Sequence, residues 1–346
     1  MGERAPGAVA PPEPPSRPSP EPTLLERLGE AGASASSLAA GRSRARRLAV
    51  GGLVALVVAF LVAALASQWS RLPDIAWRLE PGWLALSIAA LIVFQAFHAQ
   101  LWVMTLHALG SPVPGARGRM VWSVTLLARY VPANVALAVS RMAMAEREGV
   151  PKRVCMASLV YEMGFAFAGS AAVGAYFVIA LPQLEGRPLR WLALALPVIA
   201  LAALDPRVFR PLADAALRRL GRGALPRTIG RGRVLELTAL FAVSFVVAGV
   251  AVYALGQALH GLAPADAPTA IGAYSVGFAA SVVAFVIPGG LGARETGLVA
   301  ALSGILPLTV AIAVAVAVRL LQMGVELLYA AVTPLLARRG GSVGDA

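Results

Sequence analysis

The stretch Val-Ile-Pro-Gly-Gly-Leu-Gly-Ala-Arg-Glu, residues 286–295, decides how the second half of the chain can fold. Apolar runs of about residues 269–287 and 296–333 border it. Pro288 lacks a backbone N–H, and three of the next four residues are glycines, which leave helical geometry easily. A single continuous helix therefore cannot cross this stretch. The three glycines are Gly289, Gly290 and Gly292.

Two charged residues end the stretch. Arg294 and Glu295 lie beside, or inside, a segment long enough to cross a bilayer. Charges at membrane depth are costly and usually serve a function. The alternative is an ordinary turn between two spans, with both charges at the lipid headgroups. The distribution of charge along the chain decides between them.

The composition is that of an integral membrane protein. Of 346 residues, 58% are hydrophobic and 14% are charged, and several apolar runs reach the roughly 20 residues that cross a bilayer. The net charge of +12 does not indicate nucleic acid, because the arginines flank the apolar runs, as they do in cytoplasmic loops. With the single cysteine Cys155 and three histidines, we expect no disulfide, metal site or cofactor.

The sequence divides into two tails and one membrane domain. Residues 1–47 are rich in Pro, Ala and Arg and predict a disordered tail, and arginines before the first apolar run place it in the cytoplasm. Residues 48–337 form the predicted transmembrane domain, in the cell (inner or plasma) membrane, and residues 338–346 form a short cytoplasmic tail. Six apolar runs predict full spans at about residues 48–68, 83–106, 154–181, 189–204, 234–259 and 308–333.

Two further apolar runs, about residues 120–140 and 269–306, are interrupted in the middle. Residues 205–233 hold eight arginines against two aspartates, a net charge of 8 − 2 = +6. If every run crossed the membrane, this segment would lie outside, against the positive-inside rule. If both interrupted runs return to the face they entered from, every basic segment and both termini lie in the cytoplasm. We therefore predict two re-entrant hairpins.

The predicted fold is an all-α polytopic membrane protein of eight apolar helical segments, namely six full spans and two re-entrant hairpins. The hairpins enter from opposite faces in an inverted-repeat arrangement, as in many transporters. Irregular backbone at membrane depth requires protein or water around it. The two hairpin tips are therefore expected to meet at a cavity.

The predicted binding site lies at this cavity. Each break exposes helix termini, whose free N–H groups favour an anion. Arg129 and Arg141 flank the first break and Arg294 follows the second, and a guanidinium binds phosphate through two parallel hydrogen bonds. Glu162 and Glu295 are the expected counter-charges of the empty site. The expected ligand is an amphiphile with an anionic head, either a phospholipid or a polyprenyl phosphate.

Structural roles stay open for the same residues. Arg129 and Arg141 could extend to the cytoplasmic headgroups, and Glu162 with an arginine could brace two helices. Arg319 and Glu326 share one face of the last span and either pair with each other or line the cavity.

Motifs at the two breaks resemble those of a known family. Residues 128–134 (Ala-Arg-Tyr-Val-Pro-Ala-Asn), followed by Arg141 and Glu162, resemble the first signature of the lysylphosphatidylglycerol synthase transmembrane (flippase-like) family. Its second signature, Pro-Gly-Gly-x-Gly-x-Arg-Glu, matches residues 288–295, and an arginine like Arg319 follows in the last span.

The resemblance covers about residues 48–337 and has two departures. Ala133 stands where the family usually has Gly, and Met163 stands where it has Arg. The synthase members carry a soluble aminoacyl-transfer domain after the membrane part. Only about ten residues follow the last span here, so we expect that activity to be absent and the chain not to be an enzyme.

The resemblance implies a membrane protein that moves lipids between leaflets. This agrees with the anionic-lipid site inferred from the two breaks. Asn134 is better placed to cap a half-helix than to contact the ligand. No catalytic residue is assigned. The residues assigned to headgroup binding are Arg129, Pro132, Asn134, Arg141, Glu162, Pro288, Gly289, Gly290, Gly292, Arg294, Glu295 and Arg319.

Two other function classes remain. One is a membrane-embedded accessory or transferase component that acts on lipid-linked substrates in envelope or glycan synthesis. It would need a catalytic carboxylate and usually a metal-binding Asp pair, which the sequence does not display. The other is a non-transporting protein that docks a cytoplasmic enzyme through residues 205–233. The sequence does not fix the oligomeric state.

Overall fold

The computed structural model describes residues 79–130, 136–180, 189–219, 221, 223–285 and 292–340. The predicted N-terminal tail and first span lie outside these ranges. Ten α-helices and two 3-10 helices make up the regular structure of the described residues: α1 Pro81–Ala108, α2 Gly115–Leu126, the 3-10 helix Leu127–Tyr130, α3 Ala136–Arg147, α4 Lys152–Ala180, α5 Leu189–Leu204, α6 Pro206–Arg219, α7 Arg231–Leu259, the 3-10 helix Pro264–Asp266, α8 Ala267–Phe285, α9 Ala293–Leu302 and α10 Leu308–Gly340.

Four of the described helices are long and apolar enough to cross a membrane, namely α1, α4, α7 and α10. Each agrees with a predicted span at its apolar centre, and α10 runs about two turns beyond the predicted end at residue 333. The prediction of an all-helical membrane protein is confirmed for this part of the chain. Helix α5 coincides with the predicted span 189–204 but has 16 residues, or about 24 Å at 1.5 Å per residue.

The two interrupted runs form pairs of shorter helices. Helices α2 and α3 have 12 residues each, about 18 Å, which is well below the roughly 30 Å of a hydrocarbon core. In the second run, α8 has 19 residues and α9 has 10. The breaks themselves, residues 131–135 and 286–291, lie outside the described residues.

The basic segment 205–233, for which no secondary structure was predicted, includes a helix. It contains α6, whose buried face includes Phe209 and Leu217, while its arginines are exposed. The Phe209 ring stacks on Tyr161 of α4 with centroids 3.9 Å apart. The apolar residues of α6 follow a helical spacing, and through them the segment packs against the membrane domain. The high arginine content of the segment had hidden this spacing.

Small residues let the long helices approach closely. A Cβ atom on Gly249 of α7 would lie 2.1 Å from the carbonyl oxygen of Ile271 on α8, so only glycine fits there. A Cβ atom on Gly169 of α4 would lie 2.7 Å from the backbone nitrogen of Ala242 on α7. Such small-residue contacts are typical of packing between membrane helices.

Candidate functional site

Two groups of charged side chains lie between the helices, and the first contains Arg141. Its Nη1 donates to Glu162 Oε2 at 2.5 Å, and its Nε donates to the Thr125 hydroxyl at 3.1 Å. The other carboxylate oxygen of Glu162 accepts from the Trp122 indole N–H at 2.6 Å. We call Arg141, Glu162, Trp122, Thr125 and Trp102 the Arg141 cluster.

Helical spacing explains how the Arg141 cluster forms. Trp122 and Thr125 are three residues apart on α2 and therefore share one face. Two indole rings cover the guanidinium, Trp102 at 5.3 Å and Trp122 at 5.7 Å from its carbon to the ring centroid. The side chain of Arg141 is only 1% exposed. It therefore does not extend to the headgroups, which was one of the sequence alternatives.

This arrangement is characteristic of a structural brace. A buried ion pair whose remaining donors and acceptors are satisfied holds elements in place, and removal of one partner typically costs about 3–5 kcal/mol. The pair Arg141–Glu162 joins α3 to α4, and Trp122 adds α2. Met163, where the family usually has arginine, is exposed on the outside of α4, so this departure leaves the cluster unchanged.

The second group surrounds Glu326 in the middle of α10. Arg129 donates to Glu326 Oε1, and the Tyr130 hydroxyl donates to Oε2 at 2.7 Å. Gln322, one turn earlier on α10, donates to Oε1 at 3.0 Å. The carboxylate is fully buried, whereas the side chain of Arg129 is 29% exposed.

Gln322 connects Glu326 to the second interrupted run. Its Oε1 accepts from Arg294 Nη2 at 2.7 Å and from the Tyr274 hydroxyl at 3.1 Å. The Arg294 guanidinium lies over the Tyr274 ring, 4.8 Å from its centroid. One amide therefore couples Arg294 of α9 to the carboxylate that binds Arg129.

Two glycine positions place Arg294 here. Gly292 precedes α9 with φ +89°, a left-handed conformation that suits glycine and starts the helix at Ala293. A Cβ atom on Gly277 of α8 would lie 2.7 Å from the backbone oxygen of Arg294. The close approach of α8 and α9 thus fixes the position of Arg294 relative to Gln322 and Tyr274.

A third arginine, Arg319, reaches the same region from α10. Its guanidinium lies 5.9 Å from the centroid of the Tyr130 ring, and its Nε is 4.0 Å from Glu295 Oε1. Both side chains are partly exposed, Arg319 at 32% and Glu295 at 40%. Arg319 and Glu326 do not pair with each other, although they share a helix face. We call Arg129, Arg294, Arg319, Glu326, Gln322, Tyr130 and Tyr274 the Glu326 cluster.

The structure thus divides the predicted site residues into two sets. Arg129, Arg294 and Arg319, with Glu295 beside them, come together in the Glu326 cluster. Arg141 and Glu162 form a separate buried ion pair. The single cavity expected between the hairpin tips stays a prediction, because both tips lie outside the described residues. Other predicted site residues lie outside the described residues: Pro132, Asn134, Pro288, Gly289 and Gly290.

Several residues of the clusters were missing from the predicted site. Gln322 and Glu326 are polar residues inside an apolar helix, and with Arg319 they follow the i, i+3, i+7 spacing of one face. This spacing alone would have been enough to place Gln322 and Glu326 in the predicted site beside Arg319. The roles of Trp122 and Tyr274 depend on contacts between distant helices, which no local pattern indicates.

A cavity of about 400 Å³ lies farther along α10. Its lining includes Met120, Val124 and Pro334, with Arg117, Glu148 and Arg338 as the charged groups. Pro334 is eight residues beyond Glu326, or about 12 Å along the helix. Within the described ranges, no three His, Cys, Asp or Glu side chains lie close enough to hold a metal ion.

Together, the helices and the two charged clusters between them define a polytopic α-helical membrane protein. The sequence profile of the lysylphosphatidylglycerol synthase transmembrane region matches residues 48–329, and the chain belongs to this family. Membership associates it with membrane proteins that act on lipids. No curated protein matches the chain.

Proposed function

We propose that this protein transports a lipid with an anionic headgroup between the leaflets of the cell membrane, and that it is a transporter rather than an enzyme. The lipid is a phospholipid or a polyprenyl-phosphate-linked lipid. One observation carries the proposal: three arginines from separate elements belong to one cluster around a buried carboxylate. Arg129 binds Glu326 directly, Arg294 reaches it through Gln322, and Arg319 lies beside the Tyr130 ring. Charges at this depth need an ionic partner, and a headgroup phosphate is such a partner.

The net charge of the Glu326 cluster favours an anion. The cluster and the neighbouring Glu295 contain three arginines and two glutamates, a net charge of 3 − 2 = +1. A phosphodiester carries one negative charge and would neutralise this excess. Guanidinium groups suit phosphate because their planar fork donates two parallel hydrogen bonds and stays charged.

Accessibility favours the Glu326 cluster over the Arg141 cluster as the binding site. Arg129 and Arg319 are each about one third exposed, whereas Arg141 is almost completely enclosed. Glu326 accepts hydrogen bonds from Arg129 and Tyr130, which are donors that a phosphate could also use. We therefore infer that an arriving headgroup replaces the carboxylate as a partner of Arg129.

The proposed transport path uses two re-entrant hairpins that enter from opposite faces within an inverted repeat of six full spans. The short lengths of α2, α3 and α9 support this arrangement, because none of them can cross a bilayer alone. Gln322 and Glu326 flank the middle of the 33-residue α10, which suits a site near the bilayer midplane. In this proposal both termini are cytoplasmic, and the halves of the domain rock around the site.

The direct test is leaflet exchange of fluorescent anionic lipids in vesicles that contain the purified protein. We expect Arg294→Gln to slow exchange at least about tenfold, because loss of a charged hydrogen bond to the headgroup costs roughly 1.5–3 kcal/mol. The matched control is Arg218→Gln, which removes the same charge from the exposed face of α6. Absence of protein-dependent exchange across a broad panel of anionic lipids would refute the proposal.

The topology has its own test. Single cysteines at Arg147 on α3 and at Arg210 on α6 should both react with an impermeant thiol reagent from the cytoplasmic side. The native Cys155 is buried and should contribute little background. Labelling of both positions from the outer side of the membrane would rule out the re-entrant first hairpin.

A further inference from the structure

A cavity large enough for part of a lipid is lined by residues that belong to neither charged cluster. This cavity of about 500 Å³ is bordered by α4, the C-terminal part of α5 and the apolar face of α6. Small-molecule sites commonly have volumes of about 300–1,000 Å³. We call this space the α4–α6 groove.

The groove is apolar along its length and charged at one end. On α4 its lining runs from Arg153 to Phe167, about 21 Å at 1.5 Å per residue. Half the hydrocarbon thickness of a bilayer is about 15 Å, so the groove is long enough for an acyl chain of one leaflet. Among its lining residues Arg153 is the single polar side chain.

The position of the groove follows from the amphipathic character of α6. Apolar side chains of α6 face the groove, while Arg207, Arg210, Arg218 and Arg219 are exposed on the helix. Such a helix lies in the membrane interface, where clustered arginines attract anionic headgroups. The groove is open on one side, because Val160, Ile199 and Leu212 at its edge are each more than half exposed.

We propose that the α4–α6 groove binds an anionic phospholipid of the cytoplasmic leaflet, with an acyl chain in the groove and the phosphate on Arg153. Charge complementarity selects the headgroup, since no described carboxylate forms an ion pair with Arg153. The apolar lining suits the chain, because it leaves no polar group without a partner when an acyl chain covers it. This site is separate from the transport site and does not depend on the proposed function.

The lipid is expected to hold α6 in place. Phe209 and Leu217 anchor this helix on the domain, yet Leu212 on the groove side remains exposed. An acyl chain would cover Leu212 and the opposite wall at the same time. The bound phospholipid thus serves as a structural component of the cytoplasmic surface.

The test is photocrosslinking in nanodiscs, using phosphatidylglycerol with a diazirine in the acyl chain and the matching phosphatidylcholine. Crosslinked peptides are mapped by mass spectrometry. We expect labels on residues 156–167 and 199–217 above the level on the exposed apolar side chains in the C-terminal part of α10, which are Leu328, Val332, Leu335 and Leu336. Arg153→Gln should reduce phosphatidylglycerol labelling of the groove about fivefold and leave phosphatidylcholine labelling unchanged.

Two further variants complete the experiment. Arg147→Gln removes an exposed arginine outside the groove and should have no effect on labelling. Ala216→Trp should fill the groove and abolish labelling by both lipids while the unfolding temperature is retained. Groove labelling no higher than on α10, or equal loss in Arg153→Gln and Arg147→Gln, would overturn the proposal. A chemical crosslink from the groove to residues 48–68 or to a second copy would also overturn it, because another segment would then occupy the groove.

Discussion

The Arg141 cluster and the Glu326 cluster contain the same kinds of side chain but differ in balance and access. In the first, one arginine meets one glutamate, both carboxylate oxygens are hydrogen-bonded, and two indole rings enclose the guanidinium. Of the three arginines in the second, Arg129 pairs directly with the buried Glu326. Arg294 donates to Gln322, and Arg319 is 4.0 Å from the other carboxylate, Glu295.

This difference separates a brace from a binding site. A balanced and enclosed ion pair has no capacity for a ligand, and any ligand would have to break it at a high cost. A cluster with an excess of cations and partial exposure gains when an anion arrives. An intramembrane arginine is therefore informative only together with its partners and its exposure.

The largest expected effect is the loss of the brace. Glu162→Gln should lower the free energy of unfolding by about 3–5 kcal/mol, because it leaves the Arg141 guanidinium buried without a counter-charge. Chemical unfolding in detergent micelles measures this change in the free energy of unfolding. The control is the double change Arg141→Met with Glu162→Met, which removes both charges and should cost at least about 2 kcal/mol less. A loss below about 1 kcal/mol in Glu162→Gln would show that the pair is not a brace.

The next effect tests how Arg294 is positioned. Gly277→Ala should push α9 away from α8, since its Cβ would meet the backbone oxygen of Arg294 at 2.7 Å. We expect a loss of about 1–3 kcal/mol from overpacking and slower leaflet exchange as Arg294 leaves Gln322. The control is Gly174→Ala on α4. Its Cβ atom would lie 3.7 Å from Val276 of α8, an ordinary contact distance, so stability should change by no more than about 0.5 kcal/mol. Equal effects of the two substitutions would contradict this positioning.

The smallest effect concerns the exposed ion pair of Asp205 and Arg231 and depends on pH. Asp205 accepts hydrogen bonds from Arg231 Nε at 2.6 Å and from the Arg207 backbone N–H at 2.9 Å, and the bond from Arg231 is the main cause of a lowered Asp205 pKa. Because the folded pKa lies below the unfolded one, this contribution is complete above the ordinary Asp pKa and disappears as the pH falls through the lowered pKa.

The corresponding measurement compares unfolding temperatures of the wild type and Asp205→Asn over a pH series. The variant should be slightly less stable at neutral pH, and the difference should vanish in acid. Exposure of this pair and screening by salt keep the effect small. A difference that grows as the pH falls would contradict the assigned sign.

Much of the fold could be predicted from the chain, because apolar length and arginine placement are strong local signals in membrane proteins. The described helices α1, α4, α7 and α10 follow the predicted runs. The helix α6 was not recognised, since eight arginines within residues 205–233 concealed the spacing of Phe209 and its apolar neighbours. Composition and periodicity are separate signals. In residues 205–233 the arginine content outweighed the helical periodicity of the apolar residues.

The candidate site was less predictable. Proximity to a chain break grouped Arg141 with Arg129, although burial assigns them to different clusters. The convergence of Arg294, Gln322 and Tyr274 depends on how α8, α9 and α10 pack, which the spacing within one helix does not specify. Glu326 could have been assigned from its place in an apolar helix, but its partner Arg129 is 197 residues away.

The most direct test compares lipid rescue of Glu326→Gln and Glu162→Gln in lipid-free detergent. Both variants should unfold at a lower temperature than the wild type, since each leaves arginine without its carboxylate. Adding phosphatidylglycerol, with phosphatidylcholine as the control, should restore at least half of the loss in Glu326→Gln, because a phosphate can take the place of the Glu326 carboxylate. It should restore almost none in Glu162→Gln, whose site is closed. Equal recovery of both variants, or no recovery of Glu326→Gln, would contradict the assignment of the Glu326 cluster as the headgroup site.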